Sequence, residues 1–143
     1  MIFMKIFNAE NQILGRLSTT VAKELLKGEK VFVVNCEKSV LAGNPKYKFS
    51  HYLERTQRGD VKKGPFFPRT PDGIFRRTVR GMLPIKKPSG RNAFKNLRVF
   101  IGVPEEFKNK TLEKVESADS DKLKTKYIIL EDLSTSLGAK KRW

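Results

Sequence analysis

Acidic residues are in short supply in this chain. Across 143 residues, 15 Asp and Glu face 30 Lys and Arg, leaving a formal charge of +15 and a pI near 10.1. A surface so poor in carboxylate needs a polyanionic partner, either nucleic acid or an anionic membrane surface. Long apolar runs are missing as well. No stretch reaches the roughly 18–20 apolar residues of a spanning helix, which sets the membrane aside. Met1-Ile-Phe-Met-Lys5 turns polar too early for a signal peptide. The single cysteine, Cys36, allows no internal disulfide and suits a reducing, cytoplasmic compartment.

Catalytic and metal-binding groups are equally sparse. His51 is the one histidine, and with Cys36 alone it cannot make a structural zinc site. No acidic cluster has metal-ligand spacing, so neither metal nor catalytic residues are expected. Cys36 closes an apolar run and reads as a small core hydrophobe; His51, among Lys48, Tyr52 and Arg55, reads as a surface or ligand-facing residue. Gly15 stands alone where a dinucleotide fold needs G-x-G-x-x-G. Gly59 and Gly64 have phosphate-loop spacing, but Pro65-Phe66 occupies the place of Lys-Ser/Thr. No cofactor or small-molecule substrate is expected.

What the chain does have is positive charge in one place. From Asn44 to Arg98 there are fifteen Lys or Arg and only Glu54, Asp60 and Asp72 as acids, so 55 residues carry +12. A more neutral region, 103–138, and a basic, mobile tail, 139–143, follow. No second-domain boundary is evident, and the expectation is a single domain over 1–143.

Apolar spacing gives the outline. Met4 to Ala9 reads as a short strand. Leu14, Leu17, Val21 and Leu25 share one helical face, ended by Gly28. Val31 to Cys36 is a continuous apolar run, the mark of a strand buried on both faces, completing a parallel βαβ unit. Ser39 to Gly43 is a short strand or edge piece. Asn44 to Arg58 is an unclear basic helix, and Gly59 to Pro71 a long basic loop with too many breakers for a regular element.

Asp72 reads as the N-cap of a helix from Ile74 to Met82 with two faces. Ile74, Phe75, Thr78, Val79 and Met82 share the core arc; Arg76, Arg77 and Arg80 fill the opposite one. On this reading Met82→Asp damages folding, whereas removing the three arginines spares it. Pro84 stops the helix. A capped turn then runs from Ser89 towards Lys95, with Lys86 and Lys87 held extended between Pro84 and Pro88. Leu97 to Gly102 is another buried strand. Thr111–Val115 and Asp119–Lys126 read as exposed, partly helical linker, and Leu130, Leu133 and Leu137 as a last helical face ending at Gly138.

Lysine and arginine neutralise phosphate, and arginine adds planar bidentate contacts. The candidate RNA-binding residues are Lys46, Lys48, Arg55, Arg58, Lys62, Lys63, Arg69, Arg76, Arg77, Arg80, Lys86, Lys87 and Arg91. Gly81, Pro84 and Gly90 are read as loop-shaping. Phe66 and Phe67 either stack on bases or plug the loop into the core, with the core favoured for at least one. Irregular basic loops suit folded RNA better than a uniform duplex groove, and no second recognition helix supports DNA.

Val79-Arg-Gly-Met-Leu-Pro84, then Gly90-Arg91, then Leu97-x-Val-Phe-x-Gly102 resembles the signature of the universal large-subunit ribosomal protein L-thirteen family. Leu14-Gly-Arg-Leu17, Val-Asn-Cys-Glu37 and Leu-Ala-Gly-Asn44 resemble its start. Phe66-Phe-Pro-Arg-Thr-Pro71 resembles its archaeal and eukaryotic branch. The resemblance implies an α/β fold: a three-layer α/β/α domain with a small, mostly parallel sheet and long basic loops. It also implies a non-catalytic constituent of the large ribosomal subunit, binding large-subunit ribosomal RNA, contacting neighbouring ribosomal proteins and supporting assembly. The alternative is a free regulatory RNA-binding module; a nucleotide-dependent enzyme is disfavoured by the missing phosphate loop.

Overall fold

The computed structural model describes residues 4–141 and Trp143. Strand β1 (Met4–Asn8), helix α1 (Leu14–Leu26) and strand β2 (Lys30–Val34) form the expected βαβ unit, with Met4 opposite Lys30 and Asn8 opposite Val34 in parallel register. Strand β3 (Val40–Ala42) leaves this sheet, and helix α2 (Pro45–Gln57) follows it. Helices α3 (Pro71–Met82) and α4 (Pro88–Lys95) lead to strand β4 (Leu97–Val99), which pairs in parallel with β2. The main sheet therefore has the order β1-β2-β4. Strand β5 (Tyr127–Ile129) pairs antiparallel with β3 and runs into helix α5 (Leu130–Ser136). The molecule is an α/β protein with a small, mostly parallel sheet.

Strand alternation decides what lies on each side of the sheet. Phe7, Val31, Val33 and Leu97 join the large core, packed with Leu17, Val21 and Leu25 of α1 and Ile74, Phe75 and Val79 of α3. Each such side chain contributes roughly 1.5–3 kcal/mol by leaving water. Ile6, Phe32 and Val34 point the other way, where Phe107 is buried beside them. The layer on that side is thin: a 3-10 turn, Glu105–Phe107, with Phe32, Phe100 and Phe107 at ring separations of 5.1–6.2 Å.

Strand β2 stops at Val34 because Asn35 takes a left-handed backbone, φ +55°. Cys36 sits in the next 3-10 turn, fully buried, and burial pushes its thiol far up.

Three helices carry proline in the first turn, and two of them, α3 and α4, start differently from the sequence expectation. Helix α3 begins at Pro71, not after an Asp72 cap; Asp72 lies inside the first turn. Helix α4 begins at Pro88, which puts Ser89 within it. The unclear segment after Asn44 is a full helix, whose Asn44 side chain accepts from the Lys46 N–H at 3.0 Å. Proline loses nothing there, because the first-turn N–H groups have no helical partner anyway.

Of the segments read as exposed linker, Asp119–Lys126 is largely exposed and carries a 3-10 turn, Ser120–Lys122, whereas Thr111–Val115 is bound to the sheet. Glu113 donates its N–H to the Ile6 carbonyl and accepts from Asn8, both at 2.9 Å, so it covers the free edge of β1. The buried Gln12 side chain accepts from the Val115 N–H at 3.1 Å, and Ala118 is fully buried. An unpaired strand edge would leave polar backbone groups without partners, which is the physical reason this segment docks. In the tail, Lys141 pairs with Glu131 at 2.6 Å; Arg142 lies outside the described residues. No helix among the described residues is long and apolar enough to cross a membrane.

Candidate nucleic-acid interface

The basic window contributes α2, the loop after it, α3, the turn after that, and α4. Its cations are largely without internal counter-charge. Among the described residues, ion pairs within 4.0 Å involve Lys5, Lys27, Lys38, Lys108 and Lys141 outside the window, and inside it only Arg58, bonded to Glu54 at 2.8 Å. Fourteen of its fifteen Lys and Arg therefore have no carboxylate partner.

Lys62 and Lys63 sit at the exposed tip of a tight loop. Asp60 and Gly64 exchange both backbone hydrogen bonds, at 3.1 and 3.0 Å, and clamp its base. Gly59 must be glycine: with φ at +89°, a Cβ would lie 2.4 Å from the Gly64 carbonyl oxygen.

Past this tip the loop returns through Phe66 and Phe67, and the two rings part company. Phe67 is partly buried against the core, edge-on to Tyr52 at 5.9 Å. Phe66 is 65% exposed. The Arg55 and Arg77 guanidiniums each lie 5.7 Å from the Phe67 ring centre, and Arg77 donates to the Phe66 carbonyl at 3.3 Å. Arg55, Arg58, Arg77, Pro65, Phe66 and Phe67 line an open cleft of about 360 Å³.

The arginine comb of α3 is present, with one change. Ile74, Phe75 and Val79 are fully buried, and Arg77 and Arg80 are exposed. Arg76 is half-buried, its guanidinium 4.7 Å above the Phe94 ring. Met82 is 40% exposed and does not anchor the core; Leu83, just past the helix end, is buried in its place. Met82 is the last residue of the helix, its sulfur 3.7 Å from the Thr19 hydroxyl, and Leu83 follows with an extended backbone.

Lys86 and Lys87 are exposed; Lys86 lies in a turn, and Lys87 has an extended backbone as it caps α4. The Lys87 N–H donates to the Pro84 carbonyl at 2.9 Å, closing a turn. Helix α4 packs directly on that turn: a Cβ on Gly90 would stand 2.1 Å from the Pro84 oxygen. Gly81 faces open space by the same measure. Arg91 is exposed on α4, one turn along from Lys87.

The remaining candidates lie apart from this group. Lys46 and Lys48 occupy the start of α2, where Lys48 borders a second cavity with Tyr52 and Thr78. Arg69 is exposed, and its carbonyl accepts from the Ser134 hydroxyl of α5. Sequence reasoning passed over the Phe94 contact and put Tyr47 and His51 on one helix without their stacking. Phe94 serves as the platform for Arg76, and Tyr47 stacks on His51 at 6.1 Å on the exposed side of α2. Tyr47 and His51 are four positions apart on one helix, whereas the Arg76–Phe94 contact joins two helices and has no local sequence signal.

Fold and site together define a basic α/β protein whose helices and loops display cations without ion-pair partners among the described residues, several of them beside aromatic rings. The family model described as Ribosomal protein L13 matches residues 4–106. The chain is 50% identical over 135 residues to the large ribosomal subunit protein uL13 of Archaeoglobus fulgidus, covering 93% of this chain and 86% of the relative. It is 49% identical over 136 residues to that of Methanopyrus kandleri, with the same coverages, and 47% identical over 142 residues to that of Methanocaldococcus jannaschii, covering 96% and 99%. The chain belongs to the ribosomal protein L13 family, on its archaeal-like side. That family is structural and non-enzymatic.

Proposed function

We propose that this chain is a structural constituent of the large ribosomal subunit, in the cytoplasm, that holds large-subunit ribosomal RNA with its basic window and abuts other ribosomal proteins. The observation that carries the RNA contact is the set of fourteen cations without carboxylate partners among the described residues, carried on three helices, the loops and turns between them, and strand β4. Phosphate supplies the missing counter-charge, and counterion release makes the affinity steeply salt-dependent. Membership of the family removes the alternative of a free regulatory module, because the relatives are named as large-subunit proteins. One domain over 1–143 is the simplest organisation for this role, with Gly81, Pro84 and Gly90 shaping the corner between α3 and α4.

The test replaces Arg76, Arg77 and Arg80 together by Ala. The fold should survive: the side chains are on the solvent side, and removing the guanidiniums of Arg76 and Arg77 from their rings costs about 0.5–1 kcal/mol each. The slope of log affinity against log salt for large-subunit ribosomal RNA should fall by about 2–3, and the variant should leave the large subunit at lower salt in sedimentation. An unchanged slope would show that this face is not the RNA face. Wild-type protein found only in the free pool would overturn the role itself.

A further inference from the structure

We infer that the cleft between Phe66, Phe67, Arg55 and Arg77 is a receptor for one unpaired, unstacked RNA base, with Phe66 as its stacking surface; this rests on the RNA-binding role proposed above. Four observations converge. The first is the contrast between neighbouring phenylalanines. Phe67 is committed to the core, whereas Phe66 stands 65% exposed at the rim of the cleft. An aromatic ring left in water on so charged a surface is a free platform, and bases of any identity stack on such rings.

The second observation is that the platform is fixed in place. The Phe66 carbonyl is held by Arg77 at 3.3 Å, and the ring lies against Gly64, where a Cβ would come within 3.0 Å of ring carbon Cδ2. The clamped Asp60–Gly64 loop supports it from below. Little side-chain freedom remains to be surrendered on binding.

Charge is the third. Arg55 and Arg77 sit 5.7 Å from the Phe67 ring centre, and, apart from the Arg77 bond to the Phe66 carbonyl, their N–H groups can serve base oxygens or the phosphate flanking an inserted nucleotide. Arg58 is tied to Glu54 and closes one wall. Size is the fourth: about 360 Å³ lies near the lower limit of small-molecule pockets, suited to a single nucleotide. A base splayed from a loop or bulge has this shape and an open π face, whereas a paired base is stacked within its helix.

The experiment compares Phe66→Ala with wild type on ribosomal RNA hairpins that carry unpaired loop bases, and on fully paired duplexes of equal length. Affinity for the hairpin that wild type prefers should fall roughly 5- to 150-fold, with the salt slope unchanged, because stacking releases no counterions. Duplex binding should be unaltered, and Phe66→Trp should restore the hairpin affinity. Ultraviolet crosslinking should join residue 66 to an unpaired nucleotide. Equal hairpin affinity for Phe66→Ala and wild type would overturn the inference, as would a residue-66 crosslink to a neighbouring protein. Neither result touches the broader reading, which fails only if wild type itself does not bind ribosomal RNA.

Discussion

Substituting Gly90 by Ala probes the corner between α3 and α4 with one methyl group. A Cβ at this position would stand 2.1 Å from the Pro84 oxygen and 2.3 Å from its carbonyl carbon, whereas real Cβ contacts essentially never fall below 3.0 Å. Helix α4 or the turn must therefore yield by about 1 Å. Overpacking of this kind costs about 1–3 kcal/mol, and the Lys87 N–H bond to that same carbonyl weakens with it. Against this stands the better helix propensity of Ala, worth up to about 1 kcal/mol. The balance is a loss of about 1–3 kcal/mol, or a Tm lower by roughly 3–10 °C at this chain size. Gly81→Ala is the matched control. Its Cβ meets nothing within 4 Å, on the exposed side of a helix, so it should gain about 0.5–1 kcal/mol. Thermal unfolding followed by circular dichroism at fixed salt separates the two. A Gly90→Ala protein as stable as wild type would refute the reasoning.

Two further outcomes are expected. Met82→Asp should cost less than about 1 kcal/mol because the side chain already meets water, whereas Leu83→Ala should cost about 2–5 kcal/mol; urea denaturation distinguishes them. At the end of α1, the Lys5 ammonium at 2.9 Å, then the hydrogen bond from Glu29, hold the Glu24 carboxyl down at about 2. A lowered carboxyl in the folded state stabilises fully above the ordinary carboxylate range, and loses that contribution as pH falls from about 4.5 towards 2. Tm measured across that interval should drop more steeply for wild type than for Glu24→Gln; parallel curves would remove Glu24 from the acid response.

The βαβ unit was legible because Leu14, Leu17, Val21 and Leu25 repeat at helical spacing and the β2 run is apolar throughout. Helix α2 was not, since only Tyr52 of its residues is buried and no stripe could form. Its proline was the better signal: Pro45, Pro71 and Pro88 all open helices, yet proline in a loop-rich segment reads first as a breaker. The arginine comb and the helix end at Met82 were both legible, but angular spacing also put Met82 on the core arc, where the structure leaves it 40% exposed at the helix terminus. The docking of Glu113 on β1 had no local signature. It is a backbone contact, indifferent to side-chain type, and periodicity does not report such contacts. For the same reason the residues of the cleft were named separately, while their convergence on Phe67 came from tertiary structure.

The hydrogen bond from Val115 to Gln12 spans 103 positions, and that from Gly102 to Glu37 spans 65. Each closes a long loop whose entropy must be surrendered before any contact rewards it. Distant pairings of this kind slow folding relative to a helical bundle built from local contacts. The sheet that carries the basic corner is therefore a late product of synthesis. Until residues near 115 have emerged, the first strand keeps an open edge while a +12 segment is already free in solution. The order in which this chain meets nucleic acid and completes its own fold is thus a matter of timing as much as of affinity.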